Sequence, residues 1–553
     1  MRTPSKSYAP PRSNFSAEAI EPRTRQYNGP GKSEVNKMAN IVGIDLGTTF
    51  SALAILNTIG KPEIVPNADG DRLTPSAVFF DEENPDLIRV GIEAINSRHL
   101  NAQRSVRWIK RHIGQPDYRK NIDGRDWTAL ELSALILKKL KQDCSIEHGE
   151  IRDAVISVPA HFDEIRRKAT MDAGTSVGLN VIGIVNEPVA AALYYATTRN
   201  VSGKVLVYDL GGGTFDVTIM NVNGHRMDII CSRGDHALGG IDFDRKVLQI
   251  LEQAYKEHLN AELINSEEDR ARYEDEAEDI KKTLSRRPVA KKILYGPAGS
   301  MKVEVTRQMF EQAIASLLAR TDMLVEVALK EANLQPSHID KVLLVGGSTR
   351  IPAIQRRLEQ MFGAPPEAAV NVDECVALGA ALHAGLTMLR QNPKAVPPGI
   401  AGGLKDVQLT DVCNHSYGTL CAPIDKKTGR RVLQNRIILK KNTPLPCEES
   451  QVFYTVSDGQ TAVEVTITQG EDTEPQYVNK IATHRLTLPP DRPADRPIRV
   501  TYSYDVNQRM HCKFEDIESE HLLEVDLRLD ENGNVLADDV KHTAEQLEAF
   551  KVE

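Results

Sequence analysis

The stretch VLVYDLGGGTFDVTI, residues 205–219, runs an apolar, β-branched segment into an aspartate, three glycines and a threonine, after which apolar alternation resumes. Glycine weakens a strand and costs conformational entropy. Three in succession beside a carboxylate therefore predict a use: backbone N–H groups brought close to an anion. VGIDLGTTFSAL, residues 42–53, repeats the design. Each copy is an apolar strand, Asp-Leu-Gly, small residues, Thr-Phe and a second apolar strand. A lone Asp-Leu-Gly is an ordinary turn. Two copies in the same strand–turn–strand context predict a duplicated fold whose halves face one nucleotide.

A third stretch, KVLLVGGSTRIPAIQRRL (341–358), reads as a buried strand, a Gly-Gly turn and a helix with Pro352 in its first turn. Gly346 and Gly347 admit close approach of a ligand, and the helix start offers free amides. Gly-Gly also ends strands for purely structural reasons.

Around these stretches the chain reads as α/β. From 40 to about 390, short β-rich runs alternate with helical patterns. Candidate strands fall at 41–44, 154–158, 205–208, 217–220 and 342–345, and candidate helices near 130–141, 166–173 and 274–284. NPKAVPPGIAGG (392–403) predicts a break in regular structure and a domain boundary. Beyond about 412 the pattern turns to period two, as at 461–468 and 498–504, with Asp458-Gly459 and Asn532-Gly533 offering turns. That predicts a compact antiparallel β domain. HTAEQLEAFKVE (542–553) reads as a short helical end.

The net charge of −9 argues against a general grip on nucleic acid. Seven scattered cysteines without a Cys-x-x-Cys pair read as reduced thiols in a cytoplasmic protein. No His-Glu-x-x-His occurs, and no apolar run approaches the length of a membrane-spanning helix. Residues 1–38 carry seven Lys/Arg, three Glu and few large apolar residues, and read as a disordered tail, with Met38 an alternative start. Gly31-Lys32-Ser33 imitates the end of a phosphate-binding loop, but the first glycine of that pattern falls on Gln26 and no strand precedes it.

IDLGTT, VPAHFDEIRRKATMDAG, NEPVAAAL, YDLGGGTFDVT, GDHALGGIDFD and VGGSTRIP, in this order and spacing, resemble the signature set of DnaK-type heat-shock chaperones. The resemblance runs from about 40 to 390 and continues more weakly to about 515. It implies a duplicated actin/hexokinase-like (ribonuclease H-like) ATPase core at 39–392, a linker at 393–411, a β-sandwich that binds extended peptides at 412–541 and a helical stub at 542–553. The chain then resembles a short form of the family, without most of the C-terminal helical lid.

The resemblance also implies roles. Asp45 and Asp209 hold the hydration shell of Mg²⁺, with K⁺ a further possibility. Gly47, Thr48, Thr49 and Phe50 on the first tip, and Gly211, Gly212, Gly213 and Thr214 on the second, wrap the phosphates of ATP or ADP. Lys110 reads alone as a solvated helix lysine; by resemblance it positions the attacking water. Glu187 and Asp216 are further catalytic or metal-shell candidates, or a turn and a strand-edge carboxylate. Glu278, Lys281, Lys282 and Ser285 fall on one helical face. By resemblance that face meets the adenosine, with Arg350 stacking on the base. Gly239, Gly240, Gly346, Gly347, Ser348 and Asp373 complete the nucleotide set. Ile241 and His236-Ala237 depart from the family pattern.

Pro159 and Arg167 resemble the relay between domains, and Asp406 and Asp411 bracket the linker. There Gln408 and Thr410 replace apolar residues, which predicts weaker docking through lost burial. Phe453, Val456, Val463 and Val465 resemble a peptide pocket or, equally, sandwich core, while Thr419 and Ala422 stand where larger apolar residues arch over a client. The implied partners are unfolded apolar peptides, a J-domain stimulator and a nucleotide-exchange factor. A sugar or metabolite kinase on the same core, a nucleotide-dependent scaffold, or an ATP-binding protein docking one dedicated partner are the alternatives.

Overall fold

In the computed structural model each predicted hairpin seeds a sheet, and the two sheets share one plan. It describes residues 41–99, 101–199, 201–368, 371–424, 427–506, 508–526 and 538–553. The tail 1–38, including Gly31-Lys32-Ser33, and the Asn532-Gly533 turn lie outside them. In the first sheet Ile41–Asp45 pairs antiparallel with Phe50–Leu56 and parallel with Asp153–Val158. Pro62–Val65 and Asn180–Asn186 flank these. In the second, Ser202–Leu210 pairs antiparallel with Phe215–Asn223 and parallel with Lys341–Val345, flanked by Arg226–Asp235 and Glu367–Ala368. Strand order and sense agree position by position, as a duplication requires.

Two apolar helices join the halves. Glu187–Thr198 follows the last strand of the first sheet, and Cys375–Gln391 follows the last strand of the second. They meet almost backbone to backbone: a Cβ on Gly379 would lie 1.8 Å from the Ala190 carbonyl oxygen, and one on Gly43 would lie 2.0 Å from the Ala381 amide nitrogen. Alanine-rich surfaces let the helices and the first sheet share one core, which takes in Ala52, Val155, Ala190, Ala377 and Leu382.

The segment 393–404 differs from the sequence expectation. Pro393–Ala395 forms a 3₁₀ turn and Pro398–Leu404 a short helix, with a proline at the first helical position of each. There the missing N–H costs nothing. Ile400 and Leu404 are buried in the core that the two apolar helices share with the first sheet, so the exposed connection begins only at Lys405. The linker then adds a sixth strand to the second sheet, Gln408–Thr410 running parallel to Arg226–Asp228. Val407 is buried, whereas Gln408 is exposed and Thr410 half-buried. Gln408 therefore loses little by docking, contrary to the burial argument from sequence.

Residues 417–526 form two four-stranded antiparallel sheets around a core of Tyr417, Ile467, Val500, Tyr502 and Phe514. Asp458-Gly459, with Gly459 at φ +68°, joins strands of opposite sheets rather than a hairpin. The helical end starts earlier and stops sooner than expected: Asp538–Glu548 is helix, and Lys551–Val552 is a strand. That strand pairs parallel with Leu87–Val90, at the edge of a small sheet in the first half of the α/β core.

Candidate active site

The two glycine-rich tips meet across a cleft of about 440 Å³ between the sheets. A Cβ on Gly212 would lie 2.0 Å from Thr49 Oγ1, and one on Gly213 would lie 2.4 Å from Thr48 Oγ1. The first tip is held by Ser76, whose hydroxyl donates to the Gly47 carbonyl (2.7 Å) and whose amide donates to Thr49 (2.8 Å). Behind the second tip every carbonyl is taken. Ser348 Oγ and the Gly240 amide donate to Gly211 O (2.8 and 3.0 Å), the Ile241 amide donates to Gly212 O (2.9 Å), and Arg111 Nη2 donates to Gly213 O (3.0 Å). In a trans peptide the C=O and the following N–H point oppositely. The amides of Gly212, Gly213 and Thr214 are thereby turned away from those donors, the orientation an anion needs.

Of the residues predicted from sequence, Asp45, Gly47, Thr48, Thr49, Phe50, Lys110, Glu187, Asp209, Gly211, Gly212 and Thr214 line the cleft. So do Glu278, Lys281, Lys282, Ser285, Gly346, Gly347, Ser348, Arg350 and Asp373. Gly239 and Gly240 do not; they buttress the second tip from behind, where a Cβ on Gly239 would lie 2.6 Å from the Gly212 carbonyl. Asp216 is also outside, 1 % exposed, accepting from the amides of Ala160 (3.3 Å) and His161 (3.2 Å). Its place is thus under the turn that follows Pro159, rather than against a reacting phosphate.

Lys110 is not solvated. It sits on the 3₁₀ turn Ile109–His112, is 6 % exposed, and pairs with Glu187 at the start of the helix Glu187–Thr198. Burial works against its charge, but Glu187 and Asp45 outweigh that and raise its pKa. Burial, then Glu187, push Asp45 up to about 6 despite Lys110 and a 2.8 Å hydrogen bond from Ser157. Burial, then Glu187 and Asp45, raise Asp209 well above the carboxylate range. Three carboxylates thus share one ammonium.

Among the described residues no group of three or more His, Cys, Asp or Glu is arranged to hold a metal ion directly. Asp209 Oδ2, however, is buried with no hydrogen-bond partner. An orphaned acceptor in a pocket with excess negative charge fits a divalent ion held partly through water.

The helix Glu267–Arg286 presents the predicted adenosine face. Glu278 is half-buried, which works against its charge, yet Lys282 and Arg107 hold its carboxyl down at about 2, so it stays an acceptor. Lys281 donates to Asp244 (2.8 Å) and to Gly240 O (3.2 Å). At the mouth Arg350 donates twice to Asp373 (3.1 and 2.7 Å). Sequence reasoning missed the apolar lining from Leu73, Val345, Ile351, Val372 and Val376, and the basic residues Arg107 and Arg111. Arg111 had a usable signal, since it adjoins Lys110.

From this cleft a buried network runs to the sandwich. Asn186, next to Glu187, accepts from Arg167 Nη2 (2.7 Å) and donates to Asp411 (3.3 Å). Gln508 closes the ring, accepting from Arg167 Nη1 and donating to Asp411 (2.5 Å). The four residues come from core, linker and sandwich, and none is more than 8 % exposed. Arg167 also holds the Ala160 and Phe162 carbonyls of the turn above Asp216 (3.1 and 3.0 Å). Asp406 is exposed and stands apart from this ring. In the sandwich, Val465 is 2 % exposed and lies in the core; Phe453 and Val463 pack at its rim, and Val456 is 44 % exposed.

The family model described as Hsp70 protein matches residues 41–553. The chain belongs to the Hsp70 family. The chaperone protein DnaK of Thermotoga neapolitana is similar to this Hsp70 chain at 37% identity over 489 residues, 87% of the chain and 78% of the relative. DnaK of Thermotoga petrophila is similar at the same identity and coverage. As an Hsp70 protein the chain is an ATP-dependent chaperone and an ATP hydrolase, which leaves the kinase and scaffold alternatives unfavoured. Hsp70 proteins bind ATP or ADP with Mg²⁺ and work with peptide substrates and co-chaperones. Among the described residues no helix is long and apolar enough to cross a membrane.

Proposed function

We propose that this chain hydrolyses ATP between the two hairpin tips and uses the change in the cleft to control a sandwich that binds extended apolar segments of unfolded proteins. The observation that carries the reading is the contact of the tips over the Lys110–Glu187 pair. Phosphoryl transfer to water is catalysed chiefly by positioning and charge neutralisation. The amides of Gly212, Gly213 and Thr214 bind the phosphate oxygens. Lys110, oriented by Glu187, holds the attacking water and offsets charge as the terminal phosphate leaves. Glu278, Lys281, Lys282 and Ser285 seat the adenosine beside Arg350. Asp45 and Asp209 hold a hydrated Mg²⁺, which supplies electrostatic neutralisation of the phosphates.

Because Asn186 and Glu187 are adjacent at one helix start, displacement of Glu187 by nucleotide bears directly on the ring formed with Arg167, Asp411 and Gln508. That is the route from hydrolysis to the sandwich. We take residues 39–404 as the ATPase domain, 405–411 as the linker and 412–526 as the sandwich. A J-domain stimulator and a nucleotide-exchange factor are the partners, in the cytoplasm.

The test is ATP turnover with Mg²⁺, with and without an apolar unfolded peptide, for the wild type and Lys110→Ala. We expect turnover stimulated by peptide, and a fall of about 10²- to 10³-fold in kcat for the variant, with ATP affinity changed only a few-fold. Equal turnover in the two proteins refutes the assignment.

A further inference from the structure

The C-terminal segment is seated on the ATPase core as a ligand is seated. Its strand covers the open edge of Leu87–Val90, which would otherwise present unpaired backbone groups. The Lys551 amide donates to Asp86 O (2.8 Å), the Glu553 amide to Ile88 O (3.0 Å), and the Val90 amide to Glu553 O (2.7 Å). Beside this edge Phe550 meets the Trp127 ring edge-on at 5.3 Å, and the Arg125 guanidinium lies 3.8 Å from the Trp127 ring centre and 5.2 Å from that of Phe550. Arg125 also donates to Gln546 (3.0 Å). Lys138 donates to the carbonyls of Leu547 (2.8 Å) and Phe550 (2.9 Å), closing the end of the helix Asp538–Glu548 from a neighbouring element. Leu547 and Val552 belong to the same core as Phe80, Ile88 and Trp127.

These are the components of peptide recognition by strand addition: a sheet edge, an aromatic contact for one side chain, and a lysine for the carbonyls between helix and strand. We propose that the ATPase core carries a binding site for a peptide made of a short helix and a terminal strand, formed by the edge Leu87–Val90 with Arg125, Trp127 and Lys138. Residues 538–553 of this chain occupy it and tether the sandwich to the core independently of the linker. The tail is covalently attached, so its effective concentration is on the order of millimolar, enough to fill even a modest site. Short as it is, the segment is committed to the ATPase core rather than to the sandwich. The site involves none of the nucleotide-binding residues, so its fate is separable from the ATPase reading.

Hydrogen exchange on the full-length chain tests the proposal. The amides of Val90, Lys551 and Glu553 are expected to exchange at least tenfold more slowly than in a free peptide, and Phe550→Ala is expected to remove that protection with basal ATP turnover unchanged. A labelled synthetic peptide of residues 538–553 should then bind the full-length Phe550→Ala, Val552→Asp protein at least tenfold more tightly than the wild type. Adding Trp127→Ala should abolish that binding. Exchange at free-peptide rates in the wild type would overturn the proposal. So would equal peptide binding by wild type and variant, or protection lost on dilution together with a concentration-dependent dimer.

Discussion

Replacing Gln508 by alanine removes one corner of the ring that joins core, linker and sandwich. Arg167 Nη1 loses its acceptor, and Asp411 loses a 2.5 Å donor, both in a buried setting. A hydrogen bond to a charged group is worth roughly 1.5–3 kcal/mol, and a charged group left buried without one costs at least as much. Two are lost, while Asn186 still serves both charges. The two opposite charges can also approach into the vacated space. The net destabilisation of the docked linker is therefore about 3 kcal/mol, or about two decades in its opening equilibrium. The readout is exchange of the Gln408 amide, which donates to His225 O at 2.9 Å only when the linker lies on the sheet. Its rate should rise about 100-fold in Gln508→Ala. A change within twofold would show that the ring does not hold the linker, and the proposed route from Glu187 to the sandwich would fall with it.

Gly212→Ala places a Cβ 2.0 Å from Thr49 Oγ1 and forces the tips apart. Calorimetry should show ATP affinity reduced at least tenfold, with partial recovery in the double variant Gly212→Ala, Thr49→Ala. Asp209→Asn keeps shape but removes charge; Mg²⁺-dependent turnover should fall by about 10²- to 10³-fold, and chelating the metal from the wild type should bring it to a similar level. Acid should loosen the domain interface. His161, 5.5 Å from His415 and facing Lys441, His236, Arg233 and Asp235, is lowered from 6.5 to about 4, first by burial and then by Lys441. The unfolded chain therefore binds the proton more tightly, and stability is lost as pH falls from 6.5 toward 4. Between pH 7 and 5 this amounts to about 2 kcal/mol from His161, so His161→Gln should lose that much less in urea denaturation at the two pH values.

The hairpin echo was legible because a strand, a small-residue tip and a strand are contiguous, so local spacing carries the whole motif. That Glu278, Lys281, Lys282 and Ser285 share one side was legible from helical spacing, and all four line the cleft; their assignment to adenosine came from the family resemblance and not from the spacing. Asp216 was not: its distance from the cleft depends on the Ala160–His161 backbone, which arrives from another sheet. The proline- and glycine-rich segment 393–404 misled because its prolines occupy helix starts. Two of its three glycines serve close packing instead, a Cβ on Gly399 lying 2.1 Å from the Thr58 carbonyl oxygen and one on Gly403 lying 2.4 Å from that of Ile59. Gln508 gave no signal, being an isolated glutamine whose partners all lie far away in sequence. The terminal strand, Lys551–Val552, is too short to show any period.

The near-touching of Gly379 and Ala190 leaves the junction between halves no thicker than two helix backbones. With no side chain interposed between the two helix backbones, a small rotation about that point would have no interlocked side chain to ride over, although the core on either side is shared by both halves. The same smoothness makes the position unforgiving. A methyl group added at Gly379 would act as a wedge between the helices, and a fraction of an ångström there becomes a larger gap at the far lips of the cleft, where Arg350 and Asp373 stand.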